Sequence, residues 1–100
     1  MSRTDEADGA PAAQTRSVVI GNRLGLHARA AAKFVEAASA FACEIDVEKG
    51  GQSVSGKSIL GLMMLAAGPG SEVVLRADGA DANAALDTLV RLIEERFHED

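Results

Sequence analysis

The residues best suited to chemistry in this chain are His27 and Arg29, which lie two positions apart where a helical sequence begins. A strand-like run ends at residues 21–22, and an alanine-rich run typical of a helix follows His27. The first N–H groups of a helix have no partner within the helix and carry partial positive charge, so a helix N-terminus attracts anions. Arg29 adds a planar cation whose fork matches phosphate oxygens. The pattern predicts a site for an anion that the imidazole can touch or carry.

A histidine before a helix is, taken alone, more often a surface residue or a makeshift cap. The surrounding sequence makes a functional role the better interpretation. The segment LGLHAR at residues 24–29, followed by AAKFV at residues 31–35, closely resembles the active-site segment of the HPr family. These are the small histidine phosphocarriers of bacterial phosphotransferase systems. The resemblance covers about residues 16–97. One departure is Ala30, where many family members have proline; proline is favourable in a first turn but not required.

The resemblance implies a specific role for the histidine. His27 would accept a phosphoryl group at Nδ1 from phosphorylated enzyme I and pass it to an enzyme IIA domain. Arg29 would stabilise the phosphate, and the N–H groups from Ala28 to Ala30 would cradle it. The chain would then be a carrier and not an enzyme with its own turnover, and it would need neither a metal nor a cofactor. Sugar uptake and a nitrogen-type regulatory system both stay open, because carriers of both kinds use a His-Ala-Arg segment.

A second segment of interest contains Ser58 and matches the P-loop pattern G-x-x-x-x-G-K-[ST] at residues 51–58. Its context is wrong for a P-loop: residues 43–48 alternate apolar and acidic side chains, which predicts half of a hairpin and not a buried parallel strand. We therefore expect Ser58 to cap a helix. The segment KSILG at residues 57–61 also resembles the HPr segment whose serine is modified by HPr kinase/phosphorylase in species that possess it. A phosphate there would repel partners by its charge.

The elements that must position these residues follow from the hydrophobic pattern. They are expected at residues 16–20, 28–41, 43–48, 52–55, 58–67 and 72–77, followed by a final helix that Asp78 or Asp81 caps and that extends to Phe97. The order β-α-β-β-α-β-α, with one polar strand face, predicts an α+β fold. We expect a two-layer open-faced sandwich, with a four-stranded antiparallel sheet and three helices on one face.

A docking surface is expected around the helix at residues 58–67, which is too short to bury every apolar side chain. HPr-like proteins use this helix for partner binding, and methionine suits a surface that must fit several partners. The expected interface consists of Ile59, Leu60, Met63, Lys57 and Lys33. Leu62 and Met64 fit the core equally well.

Composition narrows the partner and the compartment. The net charge of −5 and the absence of Trp and Tyr argue against nucleic acid. No apolar run approaches the roughly 20 residues of a membrane span. The single cysteine, Cys43, lies on the apolar side of a strand, so we expect it buried and inert in a reducing cytoplasm. Residues 1–15 lack apolar periodicity and are expected to be a disordered tail, without a secretory signal, before a phosphocarrier domain at residues 16–100.

Two further functions remain open beside phosphoryl carriage. One is a regulatory binding module of the same fold, in which Ser58 modification and a partner regulator carry the function and His27 is not used. The other is a small nucleotide-binding protein, which would lose ATP binding on Lys57→Ala. The chain's other histidine, His98, stands among acidic residues and is expected on the solvated surface or as a cation at the end of the last helix. The short, charged strands suggest a monomer.

Overall fold

The computed structural model describes residues 13–99. In chain order its elements are β1 (Gln14–Val19), α1 (Ala28–Ala38), β2 (Glu44–Lys49), β3 (Gln52–Ser55), α2 (Ile59–Met64), β4 (Glu72–Asp78) and α3 (Ala82–Glu94), followed by a short C-terminal turn (Arg96–His98). The strands form one antiparallel sheet in the order β1-β4-β2-β3. The predicted α+β sandwich with its element order is therefore confirmed.

The sheet has one buried and one polar face because its strands alternate apolar and polar side chains. Ile45 and Val47 of β2 lie beside Ala77 and Leu75 of β4 in register, and all of these side chains are buried. The helices complete this core, with Phe34 of α1 almost fully buried. None of the helices within residues 13–99 has the length and apolarity needed to cross a membrane.

The start of β1 and the end of α1 are the boundaries in the first half of the chain that differ most from the prediction. β1 begins at Gln14, which pairs with Ala77, so residues 14–15 belong to the strand and not to a tail. Residues 1–12 of the expected tail lie outside the described residues. α1 ends at Ala38 and not at residue 41, because Ala40 and Phe41 donate to carbonyls only three residues back. Such bonds tighten the last turn and end the helix.

The second and third helices are also shorter than predicted. α2 ends at Met64, and Ala66 beyond it has a left-handed φ of +53°. α3 ends at Glu94 and does not extend to Phe97. In the C-terminal turn, Arg96, Phe97 and His98 all have φ between +56° and +60°, which reverses the chain while Phe97 stays fully buried. This reversal directs residue 99 back toward the start of α1.

Asp81 has a different role from the one predicted. It occupies the N-cap position of α3, but its side chain makes no capping hydrogen bond. Its carboxylate instead accepts the backbone N–H groups of Ala42 at 2.9 Å and Cys43 at 3.0 Å, which fixes the entry into β2. Asp78, the alternative cap, belongs to β4. Cys43 is buried, as predicted, and burial followed by the hydrogen bond with Asp81 raises the pKa of its thiol, which disfavours the reactive thiolate.

Candidate functional site

The loop before α1 is held by hydrogen bonds that centre on Asn22. This side chain is fully buried, and its Nδ2 donates to Gly25 O at 2.8 Å. Gly25 has a left-handed φ of +65° and donates to Asn22 O, so the two residues close a tight turn. Leu26 then donates to Ala67 O at 2.9 Å and ties the loop to the segment that follows α2. The position of the next residue, His27, is thus fixed from both sides.

His27 is the N-cap of α1, so the predicted start of this helix is confirmed. Its backbone is extended and its carbonyl accepts the N–H of Ala31 at 2.8 Å, but its side chain makes no capping hydrogen bond. The N–H groups of Ala28, Arg29 and Ala30 precede this first intrahelical bond and therefore have no acceptor within the helix. Ala30 is itself fully buried, whereas Ala28 and Arg29 are exposed.

A pocket of about 370 Å³ opens in front of this helix end. It is lined by Arg23, Leu24, His27, Ala28, Arg29 and Glu99. The predicted pair of His27 and Arg29 is thus brought to a single pocket, together with Arg23. Two guanidinium groups and a helix N-terminus favour an anion in this pocket.

The carboxylate in the pocket belongs to Glu99, which contacts the histidine directly. Glu99 Oε1 lies 2.8 Å from His27 Nε2 and 3.0 Å from Asn22 Nδ2. Its other oxygen, Oε2, is buried without a hydrogen-bond partner among the described residues. The pKa of Glu99 is lowered, chiefly by the hydrogen bond with His27, although burial opposes this effect. The hydrogen bond with Asn22 and the charges of His27 and Lys33 lower it further. These contacts therefore favour the carboxylate form of Glu99.

Glu99 is not among the site residues predicted from the sequence, and its region was expected to be solvated surface. His98 is indeed exposed and lies 3.3 Å from Glu95, in a turn beyond α3 and not in the helix itself. Glu99 carries no local signal, because its place depends on the left-handed turn that precedes it. For Asn22 a signal existed, since an asparagine side chain in a turn commonly bonds the nearby backbone.

The two lysines of the expected interface are engaged with backbone carbonyls. Lys33 Nζ donates to Phe97 O at 2.6 Å, so this lysine fastens the C-terminal turn to α1. Lys57 Nζ donates to Phe41 O at 2.8 Å and joins the start of α2 to the end of α1. Both side chains thus support the scaffold around the site. Their contact with a partner stays a prediction.

Ser58 caps α2, as predicted. Its Oγ accepts the N–H of Gly61 at 3.0 Å. The residues that precede it, Gln52–Ser55, form β3 and pair with β2, with Val54 opposite Val47. A strand within a hairpin cannot wrap a phosphate with its N–H groups, so the P-loop pattern at residues 51–58 is coincidental.

Most of α2 is solvent-exposed on one side, which creates an apolar patch. The patch consists of Ile59, Leu60, Met63 and Met64. Leu60 and Met64 are 69% and 63% exposed, whereas Leu62 is fully buried. Of the two residues that fitted core and surface equally well, Met64 therefore lies on the surface and Leu62 in the core. A shallow depression lined by Leu24, His27 and Ala66 among others joins the histidine to the end of α2. The patch and the pocket are therefore neighbours on one surface.

Comparisons with known proteins decide the family. A family profile described as "PTS HPr component phosphorylation site" matches residues 14–95. The chain belongs to the HPr family. The HPr phosphocarrier of Cupriavidus necator is 49% identical over 84 residues, which are 84% of this chain and 94% of that protein. The NPr phosphocarrier of Shewanella violacea is 46% identical over 84 residues, covering 84% of this chain and 92% of that protein.

Solved structures agree with this assignment. The crystal structure of HPr-C-His from Thermoanaerobacter tengcongensis has a TM-score of 0.84 and 45% sequence identity, and the match covers 87% of this chain and 98% of that one. The shared fold, the matched profile and the phosphocarrier relatives together establish an HPr-family phosphocarrier domain. Among residues 13–99 no cluster of three His, Cys, Asp or Glu side chains is arranged to hold a metal.

Proposed function

We propose that His27 accepts a phosphoryl group at Nδ1 from phosphorylated enzyme I and passes it to an enzyme IIA domain. The observation that carries this proposal is the placement of His27 as the N-cap of α1, in one pocket with Arg29 and beside N–H groups that have no acceptor in the helix. An imidazole at an anion-binding helix end can both attack a phosphorus atom and hold the product.

The transfer requires a neutral imidazole. The Nδ1 lone pair attacks the phosphorus of the donor, a Nδ1–P bond forms, and the bond to the donor breaks with its electron pair leaving on the donor. Arg29 and the N–H groups of Ala28 to Ala30 stabilise the negative charge on the oxygens of the phosphoryl group during transfer. These groups are already in place before the reaction, so little reorganisation is needed in the transition state.

Docking of both enzymes is proposed to use the apolar patch on α2. It lies next to the pocket and carries two flexible methionines, which adapt to different partner surfaces. Arg23 and Arg29 at the pocket rim would face acidic groups on the partners despite the negative charge of the whole chain. We propose a monomeric carrier because its strands are short and charged. The free Cys43 fits a cytoplasmic location.

The decisive experiment is incubation with phosphoenolpyruvate, Mg²⁺ and a bacterial enzyme I, followed by intact mass measurement before and after mild acid. One acid-labile phosphoryl group is expected on the wild type and none on His27→Ala. His98→Ala is the matched control, because it removes the chain's only other histidine and should be phosphorylated normally. Phosphorylation of His27→Ala, or none of the wild type by any enzyme I, would overturn the proposal.

The pathway can be assigned by comparing donors. Relatives of this chain include both HPr and NPr proteins, so neither branch is favoured by identity alone. We propose sugar uptake or nitrogen-type regulation as the two settings. Initial rates with sugar-type and nitrogen-type enzymes I at equal concentration would separate them, since the cognate donor should have the higher kcat/KM.

A second candidate function is regulation through Ser58. Its hydroxyl caps α2 and so lies at the edge of the apolar patch, where a phosphate would add up to two negative charges. We propose HPr kinase/phosphorylase as the modifying enzyme in a source that has one. If regulation is the main role, His27→Ala should keep the binding of a partner regulator that requires phosphorylated Ser58. If carriage is the main role, cells with His27→Ala should behave like cells that lack the protein.

A further inference from the structure

On the basis of the proposed function, we propose that Glu99 is a positioning residue for phosphoryl transfer. Its carboxylate holds the Nε2–H tautomer of His27 and stabilises the positive charge that the ring gains when Nδ1 is phosphorylated. The observation that points to this role is the 2.8 Å contact between Glu99 Oε1 and His27 Nε2.

The contact selects one of the two neutral tautomers. A carboxylate can only accept a hydrogen bond, so the neutral ring must carry its proton on Nε2 to bond with Glu99. Nδ1 is then left with its lone pair, which is the state required of a nucleophile. In histidine sites generally, the bond made by one ring nitrogen determines the state of the other.

The carboxylate is held in place by groups outside the ring. Asn22 Nδ2 donates to the same oxygen, Oε1, at 3.0 Å, and Asn22 is itself fixed by its bond to Gly25 O. Lys33 fastens the preceding turn through Phe97 O and contributes positive charge. The Glu99 side chain is only 13% exposed, so water screens its charge weakly. This partly buried anion, held in place by Asn22, can act on the ring throughout the transfer.

The charge balance of the transfer gives this anion its role. When the Nδ1 lone pair forms the bond to phosphorus, the donor leaves with its own electron pair and the Nε2 proton stays in place. The ring becomes a phosphoimidazolium, whose positive charge is shared by Nε2. The neutral–anion hydrogen bond to Glu99 then becomes an ion pair, so the product is stabilised more than the reactant. Interactions that strengthen along the reaction increase its rate.

One effect opposes this stabilisation, namely repulsion between Glu99 and the incoming phosphate. The carboxylate contacts the ring directly at Nε2. The phosphate would be bonded to Nδ1, whose lone pair points away from Nε2, so it would lie farther from the carboxylate than the ring does. Arg23 and Arg29 line the pocket and offset its negative charge. We therefore expect attraction to the ring to exceed repulsion of the phosphate. The sign of the Glu99→Gln effect on the rate decides between them.

The test uses Glu99→Gln and Glu99→Ala in the full chain. Glutamine carries both a donor and an acceptor, so it can bond either tautomer, and alanine bonds neither. In alkaline solution, ¹⁵N NMR of the unphosphorylated wild type should show the Nε2–H tautomer alone, and both variants should show added Nδ1–H tautomer. Glu95→Gln is the matched control: it removes a carboxylate that bonds the exposed His98 near the same turn and should leave the tautomer unchanged.

The second readout is the rate of phosphorylation by enzyme I. Both Glu99 variants should lose about tenfold in rate, as expected when a charge-assisted bond is lost from a reacting group, while Glu95→Gln keeps the wild-type rate. Unchanged tautomers, or an equal or faster rate in Glu99→Gln, would overturn the positioning role. Failure of the wild type itself to be phosphorylated would overturn the proposed function instead, and the tautomer result is independent of it.

Discussion

Glu99 Oε1 lies 2.8 Å from His27 Nε2, although 72 residues separate the two along the chain. The connection is made by the left-handed residues of the C-terminal turn, which follow α3 and reverse the chain toward the start of α1. Lys33 and Asn22 hold the two sides together through Phe97 O and Glu99 Oε1. The end of the described chain is thus part of the pocket in front of α1.

The first prediction concerns the ionisation of Glu99. Its pKa is lowered chiefly by the hydrogen bond with His27, so His27→Ala should raise it toward the ordinary glutamate value of about 4.3. The measurement is an NMR titration of the Glu99 side-chain carboxyl carbon in both proteins. His98→Ala should leave the Glu99 titration unchanged, because that ring contacts Glu95 instead. Identical Glu99 titrations in wild type and His27→Ala would contradict the contact.

The second prediction is the pH dependence that follows from this shift. A carboxyl group whose pKa is lower in the folded state contributes stability above its unfolded pKa, and this stability is lost as the pH falls through the folded pKa. Wild type should therefore be more stable than Glu99→Gln near neutral pH, and the difference should disappear in acid. Chemical denaturation at a series of pH values measures it. A stability difference that grows on acidification would contradict the prediction.

Asp81 should show the same trend. Its pKa is lowered chiefly by the hydrogen bond from the N–H of Ala42, so the stability that Asp81→Asn loses near neutral pH should also disappear in acid.

The third prediction isolates Arg29. This side chain is exposed at the pocket, so Arg29→Gln should change the free energy of unfolding by no more than about 0.5 kcal/mol. The rate of phosphorylation should nevertheless fall by roughly ten- to a hundredfold, because a charge-assisted bond to the phosphate worth about 1.5–3 kcal/mol is lost. Arg29→Lys should recover only part of it, since lysine lacks the planar fork. A wild-type rate in Arg29→Gln would exclude Arg29 from the site.

The elements that could be predicted from the sequence are those whose signals are local. The alternation in β2, the hairpin that it forms with β3 and the start of α1 at His27 were all visible in short stretches. The predicted hairpin also explains why the P-loop pattern at residues 51–58 does not form a nucleotide-binding loop. Helix ends were less predictable, because α1 and α2 both end through hydrogen bonds to carbonyls three residues back.

The parts of the site that could not be predicted depend on distant contacts. Asp81 has the sequence position of a helix cap, yet its carboxylate bonds the backbone before β2. Phe97 continues the helical spacing of α3, but burying its ring while reversing the chain requires a left-handed turn. The role of Glu99 follows from that turn. Such residues are assigned by tertiary packing, which local periodicity does not record.

The fourth prediction separates the two roles of Ser58. Its hydroxyl accepts the N–H of Gly61, so Ser58→Ala should lower the free energy of unfolding by about 1 kcal/mol. Ser58→Asp retains an acceptor at the cap and a favourable charge at a helix N-terminus, so it should be close to wild type in stability. It should still bind enzyme I more weakly, because it places a negative charge beside the apolar patch. Calorimetric titration with enzyme I and chemical denaturation give the two values. Equal affinity of Ser58→Asp and wild type would contradict the proposed docking surface.

The fifth prediction tests whether the loop before α1 needs glycine for its conformation or for space. Gly25 has a φ of +65°, and a Cβ there would overlap Ala67 O and lie 2.7 Å from Gly68 Cα. Gly50 has a similar φ of +57° with open space around it. Gly50→Ala should therefore cost only the left-handed strain of about 1–2 kcal/mol, whereas Gly25→Ala should cost more, by about 2 kcal/mol or above, since backbone must move. Because that movement shifts His27, Gly25→Ala should also slow phosphorylation while Gly50→Ala does not. Equal losses of stability measured by denaturation, with equal rates, would show that close packing against residues 67–68 is not what positions the histidine.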